Sequence, residues 1–205
     1  MTRGKFITVE GIDGAGKSSH LEFLCARARS KGGGVLLTRE PGGTPLGESL
    51  RKMVLHQAMA PMTEALLMFG ARSAHVAEVI EPALEAGTWV VCDRFSDSSY
   101  AYQCGGRGLS PQVVATLEAM VHPQLQPDAT FLFDVEPAIA AERQRAQARS
   151  PDIFEREQTA FFERVREAYQ QRARQQMYRF HFIDASGTPE QVRELLAAEF
   201  DRTFP

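Results

Sequence analysis

The segment Gly11–Ser18 has the residue types and spacing of a loop that binds the phosphates of a nucleotide. It reads Gly-Ile-Asp-Gly-Ala-Gly-Lys-Ser and matches the pattern G-x-x-x-x-G-K-[S/T]. Its glycines let backbone N–H groups turn inward around the β-phosphate, Lys17 reaches the β/γ oxygens, and the Ser18 hydroxyl binds Mg²⁺. A chance glycine-rich turn of this pattern is expected in about one of a few hundred such chains. The segment therefore predicts a site for a nucleoside triphosphate.

An acidic and a basic residue, Asp93 and Arg94, directly follow the apolar run Trp89–Cys92. Ligands of open α/β sheets bind at the carboxyl ends of the strands. We therefore expect Asp93 to hold the hydration shell of the magnesium ion and Arg94 to pair with phosphate oxygens. The alternative for Asp93 is a carboxylate that ends a strand and caps a helix.

Two further segments contain groups that could contact the base of a second substrate. Phe69 and Arg72 are three residues apart in a helical pattern and share one face, where an aromatic ring could stack on a base. The alternative is that Phe69 belongs to the core and Arg72 to the surface. Ser98–Gln103 offers hydroxyls and an amide, or simply a helical turn that leads into a flexible loop at Cys104–Gly108.

Two other segments are ambiguous by themselves. Thr38–Thr44 reads Thr-Arg-Glu-Pro-Gly-Gly-Thr and is typical of a turn, in which Arg39 and Glu40 could form a solvated pair. Between residues 142 and 157 four arginines surround Ser150-Pro151, which interrupts the helical pattern. This segment suggests a mobile lid, although charge-dense helices are usually solvated faces.

The elements that must position these residues follow from short apolar runs that alternate with helical patterns. This alternation is typical of an α/β fold with helices around a parallel sheet. Proline follows a capping residue at Ser110 and Thr188, which predicts helix starts there, and Gly32–34 and Gly87 are placed as helix stops. The five predicted strands are Phe6–Glu10, Val35–Thr38, Trp89–Cys92, Thr130–Asp134 and Phe180–Asp184.

Composition excludes several other classes of protein. The 205 residues predict one domain, and a net charge of −3, from 23 basic and 26 acidic residues, lacks the basic excess of a protein that binds nucleic-acid polymers. Three cysteines without a Cys-x-x-Cys pair suggest reduced thiols and the cytoplasm. No apolar stretch approaches the roughly 18 residues of a membrane span. The five histidines show no metal-ligand spacing and no paired nucleophile.

Together these segments resemble the thymidylate kinase family, in the family's order and over nearly the whole chain. The two most diagnostic segments are Glu-Pro-Gly-Gly-Thr at 40–44 and Ala-Tyr-Gln-x-Gly-Gly-Arg-Gly at 101–108. The resemblance implies a P-loop kinase fold, a three-layer α/β/α arrangement with five parallel strands. It also implies a homodimer packed through helices, and transfer of the γ-phosphoryl group of ATP–Mg²⁺ to dTMP. A lid is expected at about 145–157.

The resemblance also assigns roles to single residues. Phe69, three residues before Arg72, is implied to be the ring that stacks on the base. Some family members place this aromatic ring four residues before the arginine, where this chain has Met68. Residues implied to be catalytic are Asp13, Lys17, Arg94 and Arg149. Residues implied to bind ATP are Gly11, Ile12, Asp13, Gly14, Ala15, Gly16, Lys17, Ser18, Ser19 and Arg145. Residues implied to bind dTMP are Arg51, Phe69, Arg72, Arg94, Ser99, Tyr102 and Gln103, and Ser18 and Asp93 are implied to hold the metal.

The catalytic arginine is implied to come from the lid. The family places this arginine either in the P-loop or in the lid, and this P-loop has Ala15 and no arginine. Arg145 and Arg149 are therefore candidates, with Arg149 preferred because it adjoins the interruption at Ser150-Pro151. One further arginine of the family's lid is replaced by Ile153.

Two other functions remain open at this point. The chain could be another nucleoside monophosphate kinase that accepts UMP, CMP or a purine nucleotide. Thymine differs from uracil by one methyl group, which a pocket distinguishes by only about 1–3 kcal/mol, so some use of dUMP is expected. A P-loop protein could also be a nucleotide-dependent switch, in which case no monophosphate would affect its hydrolysis of ATP.

Overall fold

A five-stranded parallel sheet forms the centre of the computed structural model, which describes residues 2–146, 152–155 and 157–205. The strands are β1 (Phe6–Glu10), β2 (Val35–Arg39), β3 (Trp89–Asp93), β4 (Ala129–Asp134) and β5 (Phe180–Asp184). They lie in the order β2-β3-β1-β4-β5. All five predicted strands are confirmed, and three of them are one residue longer than predicted because Arg39 pairs with Asp93 and Ala129 pairs with Ile7.

Helices fill the connections between the strands. In the described residues they are α1 (Leu21–Ser30), α2 (Pro45–His56), α3 (Pro61–His75), α4 (Glu81–Glu85), α5 (Ser96–Ser99), α6 (Pro111–Val121), α7 (Pro137–Arg145), α8 (Thr159–Gln175) and α9 (Pro189–Thr203). Helix α1 packs on β2 and β3, while α9 packs on β5 and on α1. Among the helices of the described ranges, none has the combination of length and apolar character that crossing a membrane requires.

Several helix ends follow directly from the sequence. The side chains of Thr44, Ser110 and Thr188 each accept a hydrogen bond from the first turn of a helix that begins with proline. Proline suits this position because its missing N–H has no partner there in any helix. The helix starts predicted at Ser110 and Thr188 are therefore confirmed, and Gly32 and Gly87 follow helix ends as predicted.

The segment Tyr100–Gly106 is helical up to its last residue, although its end, from Cys104 onward, was predicted to be a flexible loop. It continues α5 as a wide π-helical turn that packs against α8. A Cβ atom at Gly106 would lie 2.5 Å from the Phe161 ring, and one at Gly105 would lie 2.5 Å from the Cβ of Ala168. These two glycines therefore allow close packing of two helices, which is a reason for glycine that the sequence pattern did not distinguish from flexibility.

The strand order determines where functional groups can meet. Strand β1 is buried along its whole length and lies between β3 and β4. The loop that follows β1 therefore emerges beside the loop that follows β3. Because parallel strands end at the same edge, the glycine-rich loop and the Asp93-Arg94 pair are brought together there.

Candidate active site

The glycine-rich loop connects β1 to a short 3₁₀ turn, Lys17–His20, which precedes α1. Gly14 has φ 84°, and a Cβ atom there would lie 2.4 Å from the carbonyl oxygen of Ala140 on α7. Only glycine fits both the left-handed backbone and this close approach. The loop therefore holds the curved shape that phosphate binding through backbone N–H groups requires.

Lys17 is bound within the loop itself. Its side chain is 7% exposed, and Nζ donates to the carbonyl oxygens of Gly11 and Ile12, both at 3.0 Å. Burial, together with the positive charge of Arg94, lowers the pKa of Lys17 to about 8. The ammonium group is thus poorly solvated and donates to two neutral acceptors. A phosphate oxygen could take their place, and because it is charged it would accept a stronger hydrogen bond.

A cavity of about 600 Å³ opens in front of this loop. Seven residues predicted to bind ATP line it, while Gly11 and Ile12 do not line it and accept hydrogen bonds from Lys17. The seven are Asp13, Gly14, Ala15, Gly16, Lys17, Ser18 and Ser19. The cavity is also lined by His20, Ala185, Gly187, Pro189 and Val192.

The predicted metal residues, Ser18 and Asp93, both line this cavity. Asp93 Oδ1 is buried and has no hydrogen-bond partner among the described residues. Buried carboxylate oxygens are normally satisfied, so this one fits a hydrated cation. Within the described part of the chain, no group of three or more His, Cys, Asp or Glu side chains could hold a metal by itself. The donor set thus suits Mg²⁺ that arrives with a nucleotide and keeps phosphate oxygens among its ligands.

Arg94 adopts a left-handed backbone conformation, with φ 72°, that is uncommon for a residue with a side chain. Its Nη2 donates to Asp13 Oδ1 at 2.6 Å and to the Tyr102 hydroxyl at 3.1 Å. Nη1 donates to the carbonyl oxygen of Gly11 and to the Tyr169 hydroxyl, both at 3.0 Å. Such strained conformations persist where the surroundings determine them strongly, as these contacts do.

Asp13 forms an ion pair with Arg94 and is close to Lys17. Although burial opposes ionisation, these two cations and the Tyr102 hydrogen bond lower the pKa of Asp13 to about 2. Tyr102 donates to Asp13 Oδ2 at 2.8 Å, and its ring lies 4.9 Å from the guanidinium carbon of Arg94. The predicted catalytic residues Asp13, Lys17 and Arg94 are therefore brought together, and Asp13 is a carboxylate at neutral pH.

A second, smaller pocket of about 80 Å³ adjoins the first. Four residues line both cavities: Asp13, Glu40, Arg51 and Arg94. Tyr102 and Gln103 line the second pocket only, as do Met68 and Phe154. Of the residues predicted to bind dTMP, Arg51, Arg94, Tyr102 and Gln103 thus surround this pocket.

Gln103 has one free hydrogen-bonding group in this pocket. Its Nε2 donates to Glu64 Oε1 at 2.7 Å, which assigns the orientation of the amide because a carboxylate can only accept. The other amide atom, Oε1, is buried and finds no partner in the described ranges. The side chain therefore presents a hydrogen-bond acceptor that a ligand N–H could satisfy.

Three other residues predicted to contact dTMP do not line either cavity. Phe69 is 1% exposed and stacks on His122, with ring centroids 6.4 Å apart. Arg72 is also 1% exposed and donates through Nε to Glu40 Oε2 at 2.6 Å and through Nη1 to Ser99 Oγ at 3.3 Å. These residues lie behind the residues that line the pocket. Met68, rather than Phe69, lines the pocket itself.

Glu40 is a site residue that the sequence interpretation missed, since a solvated pair with Arg39 was considered. It is 4% exposed and accepts hydrogen bonds from Arg72 and from His75 Nδ1, the latter at 2.9 Å. Arg39 pairs instead with Glu48, at 3.0 Å. Although burial opposes ionisation, Arg72 and His75 lower the pKa of Glu40. This burial left no signal in the sequence, because Glu40 lies just after the end of β2 and its partners Arg72 and His75 come from α3, more than 30 residues away.

The segment predicted to be a lid is only partly described. Arg149 lies outside the described residues. Arg145 is at the exposed end of α7, where its Nε donates to Ala141 O at 3.3 Å, and it does not line either cavity. Phe154 is 5% exposed and lies against Tyr102, with ring centroids 5.7 Å apart. Phe154 thus forms part of the wall of the smaller pocket, a role that its position among charged residues did not indicate.

Arg143, rather than Arg145, reaches the larger cavity. Its guanidinium group donates to the carbonyl oxygens of Ala185, Ser186 and Gly187 at 2.8, 3.2 and 3.2 Å. It therefore holds the loop after β5 against α7 beside the cavity. Sequence alone could not pair these segments, which are more than 40 residues apart.

Comparison with known proteins finds similarity to thymidylate kinases along nearly the whole chain. The family model described as thymidylate kinase matches residues 9–196. Curated relatives named thymidylate kinase include one from Methylobacillus flagellatus, 57% identical over 192 residues and 94% of both chains. Another, from Bordetella pertussis, is 57% identical over 197 residues, 96% of this chain and 94% of its own. The crystal structure of thymidylate kinase from Ehrlichia chaffeensis has a TM-score of 0.79 at 31% identity, covering 97% of this chain and 99% of that one.

Proposed function

Since this chain belongs to the thymidylate kinase family, we propose that it transfers the γ-phosphoryl group of ATP to dTMP, with ATP in the larger cavity and dTMP in the smaller pocket. The observation that carries this assignment is the junction of the two cavities. Asp13, Glu40, Arg51 and Arg94 line both of them, so two guanidinium groups lie where the γ-phosphate would meet the acceptor phosphate. The two carboxylates at the junction are each paired with an arginine, Asp13 with Arg94 and Glu40 with Arg72.

The junction suits phosphoryl transfer without a general base. The acceptor is a phosphate whose second pKa is about 6, so its oxygen is already an anion at neutral pH. Two like unit charges about 4 Å apart at an effective dielectric near 20 repel by roughly 4 kcal/mol. Cations must therefore lie between the two phosphates, and we assign this role to Lys17, Arg51 and Arg94.

Ser18 and the carboxylate oxygen of Asp93 that has no partner in the described ranges would hold the magnesium ion, directly or through its water molecules. Magnesium neutralises charge on the phosphates of bound ATP. Lys17 exchanges the carbonyls of Gly11 and Ile12 for phosphate oxygens, and its pKa rises again when it gains an anionic partner. Asp13 keeps Arg94 in place until the acceptor phosphate arrives.

The smaller pocket accounts for recognition of the acceptor nucleoside. Gln103 Oε1 is a buried acceptor that has no partner among the described residues, which matches the N3–H of thymine. Met68 supplies an apolar surface for the base, while Phe69 and Arg72 support the wall from behind. Tyr102 is buried between Asp13 and Phe154, beside the position that a deoxyribose would occupy.

Other parts of the proposal extend beyond the two cavities. We place a lid at about 145–157 within a single domain, with Arg149 as the catalytic arginine and Arg145 as a contact to ATP. The three cysteines are free thiols, which suits the reducing cytoplasm.

A homodimer would cover the large exposed apolar side chains of the neighbouring helices α2, α3 and α6. They are Leu46, Met53, Met62, Leu66 and Met120.

Formation of ADP from ATP and Mg²⁺ by the purified protein tests this function, with dTMP, dUMP, UMP, CMP, AMP and GMP each offered as acceptor. Lys17→Ala should abolish the activity, while Lys31→Ala, at the exposed end of α1, serves as the matched control. A strong preference for dTMP is expected. Preference for another monophosphate would overturn the substrate, and ADP formation independent of any acceptor would favour a nucleotide-dependent switch.

A further inference from the structure

We infer that Glu10 is a positioning residue for the acceptor phosphate, because its buried carboxylate holds both the backbone beside Arg94 and the hydroxyl groups that Arg94 contacts. This inference rests on the proposed function, in which Arg94 lies between the two phosphates. Glu10 itself lines neither cavity and is 0% exposed, so it acts only through other residues.

The first part of this role concerns the backbone. Glu10 is the last residue of β1, and its Oε1 accepts a hydrogen bond from the backbone N–H of Phe95 at 2.7 Å. The N–H of Arg94 donates to the carbonyl oxygen of Val9 at 3.0 Å. The left-handed conformation of Arg94 is thus held from both sides by the final two residues of β1. A conformation that is unfavourable for a side-chain-bearing residue needs such support.

The second part concerns the side chain of Arg94. Glu10 Oε2 accepts from Ser98 Oγ at 2.6 Å and from the Tyr169 hydroxyl at 2.8 Å. The same two hydroxyl oxygens lie 3.1 and 3.0 Å from Arg94 Nη1 and 2.7 Å from each other. Each hydroxyl has one proton, and an ionised carboxylate can only accept. The protons are therefore drawn toward Glu10, which leaves oxygen lone pairs available to the guanidinium group.

The charges that surround Glu10 set the conditions of the test. Burial and the nearby carboxylate of Asp97 raise the pKa of Glu10 to about 7, while Arg94 opposes this shift. Lys17, at the start of the 3₁₀ turn after the glycine-rich loop, also interacts with it. At about pH 8 Glu10 is mostly ionised, and the phosphate of dTMP is a dianion. Binding is therefore compared at this pH.

Glu10→Gln is the informative substitution because it keeps the size of the side chain and replaces one hydrogen-bond acceptor, a carboxylate oxygen, with a hydrogen-bond donor, the amide NH₂. The amide oxygen can still accept from Phe95, but the amide NH₂ replaces the acceptor of Ser98 and Tyr169. One of these hydroxyls can donate to the other, so at least one hydroxyl proton must then turn toward Arg94. We expect dTMP to bind about tenfold more weakly, the equivalent of one hydrogen bond to a charged group, while thymidine, which lacks the phosphate, binds as before.

Glu118→Gln is the matched control. Glu118 also accepts from three neutral donors, the side chains of Ser96, Tyr100 and Gln126, and it makes no hydrogen bond to Arg94. Tyr169→Phe and Tyr100→Phe form a second matched pair, since each removes one hydroxyl that donates to a buried or partly buried carboxylate. If Glu10→Gln fails to fold, the tyrosine pair tests the same contact.

The experiment is equilibrium binding of dTMP and thymidine by calorimetry to wild type, to these four variants, and to Arg94→Ala with and without Glu10→Gln. The affinity ratio of dTMP to thymidine should fall about tenfold in Glu10→Gln, fall in Tyr169→Phe, and stay at the wild-type value in both controls. Glu10→Gln should cause no further loss in an Arg94→Ala background. Equal weakening of thymidine, or an additive loss, would overturn the inference. A wild-type protein that binds dTMP no better than thymidine would instead refute the proposed function.

Discussion

The buried ion pair between Glu40 and Arg72 should dominate the stability of the region behind the acceptor pocket. The two side chains are 4% and 1% exposed, and Arg72 Nε lies 2.6 Å from Glu40 Oε2. In Glu40→Gln the guanidinium group loses its counter-ion but keeps the rings of Phe69 and Phe95, 4.4 and 5.2 Å away. Leaving a buried charge unpaired costs about 3–5 kcal/mol, and the two rings should hold the cost near 3 kcal/mol.

Arg72→Met should cost less, about 2 kcal/mol, because Glu40 keeps the hydrogen bond from His75 at 2.9 Å. The double variant removes both charges and places an apolar side chain between two aromatic rings. Replacement of a whole buried pair by apolar groups is often nearly neutral. The double variant should therefore lose about 1–2 kcal/mol rather than the sum of about 5, which corresponds to a coupling free energy of about 3–4 kcal/mol.

Urea unfolding of the four proteins, wild type included, measures these free energies. The pH dependence adds a second criterion. Burial opposes ionisation of Glu40, but Arg72 and His75 hold its pKa below the ordinary value of 4.5. The pair therefore contributes its full stability above about pH 4.5, and the deficit of Glu40→Gln should shrink only as the pH falls below that value. Additive losses in the double variant, or a deficit that shrinks between pH 8 and 6, would refute this reasoning.

Three further predictions concern other residues. Because the pKa of Lys17 is about 8 in the free protein, kcat/KM for ATP should fall above that pH as the ammonium group is lost; a flat profile to about pH 9.5 would contradict it. Asp93→Asn should raise the Mg²⁺ concentration needed for half-maximal rate, measured by magnesium titration of ADP formation; an unchanged requirement would exclude Asp93 from the metal site. Gly106→Ala would place a Cβ 2.5 Å from the Phe161 ring and should cost about 1–3 kcal/mol in urea unfolding. Gly70→Ala, where the nearest atom is 3.9 Å away, should stabilise by about 0.5–1 kcal/mol, so a loss in both would argue against packing as the cause.

Local signals in the sequence predicted the elements of the fold well. Strands buried on both faces read as short apolar runs, and all five were found within one residue of their ends. The phosphate-binding loop was equally clear, because Gly14 and Lys17 belong to a pattern whose spacing is imposed by the geometry of the phosphates themselves. Such signals depend only on neighbours in the chain.

Contacts between distant segments could not be predicted in the same way. Glu40 looked like half of a solvated pair, yet it is buried against Arg72, 32 residues away. Phe69 and Met68 are adjacent on a helix, and only the packing of α3 places Met68 in the pocket and Phe69 against His122. A one-residue step along a helix turns a side chain by about 100°, so small differences in packing decide which one faces a ligand.

The sequence by itself therefore determined the parallel α/β architecture, the phosphate-binding loop and the set of charged residues available for phosphoryl transfer. Tertiary structure decided which of those charges meet. The strand order places β1 beside β3, and this adjacency brings Asp13 to within 2.6 Å of Arg94 across 81 residues of chain. Glu10 shows the same dependence, since its partners Ser98 and Tyr169 come from segments after β3 and on α8. The physical reason is that a hydrogen bond requires its two atoms to lie about 3 Å apart. Within one helix or strand the spacing of residues in the sequence sets that distance, whereas between elements the packing of the fold sets it.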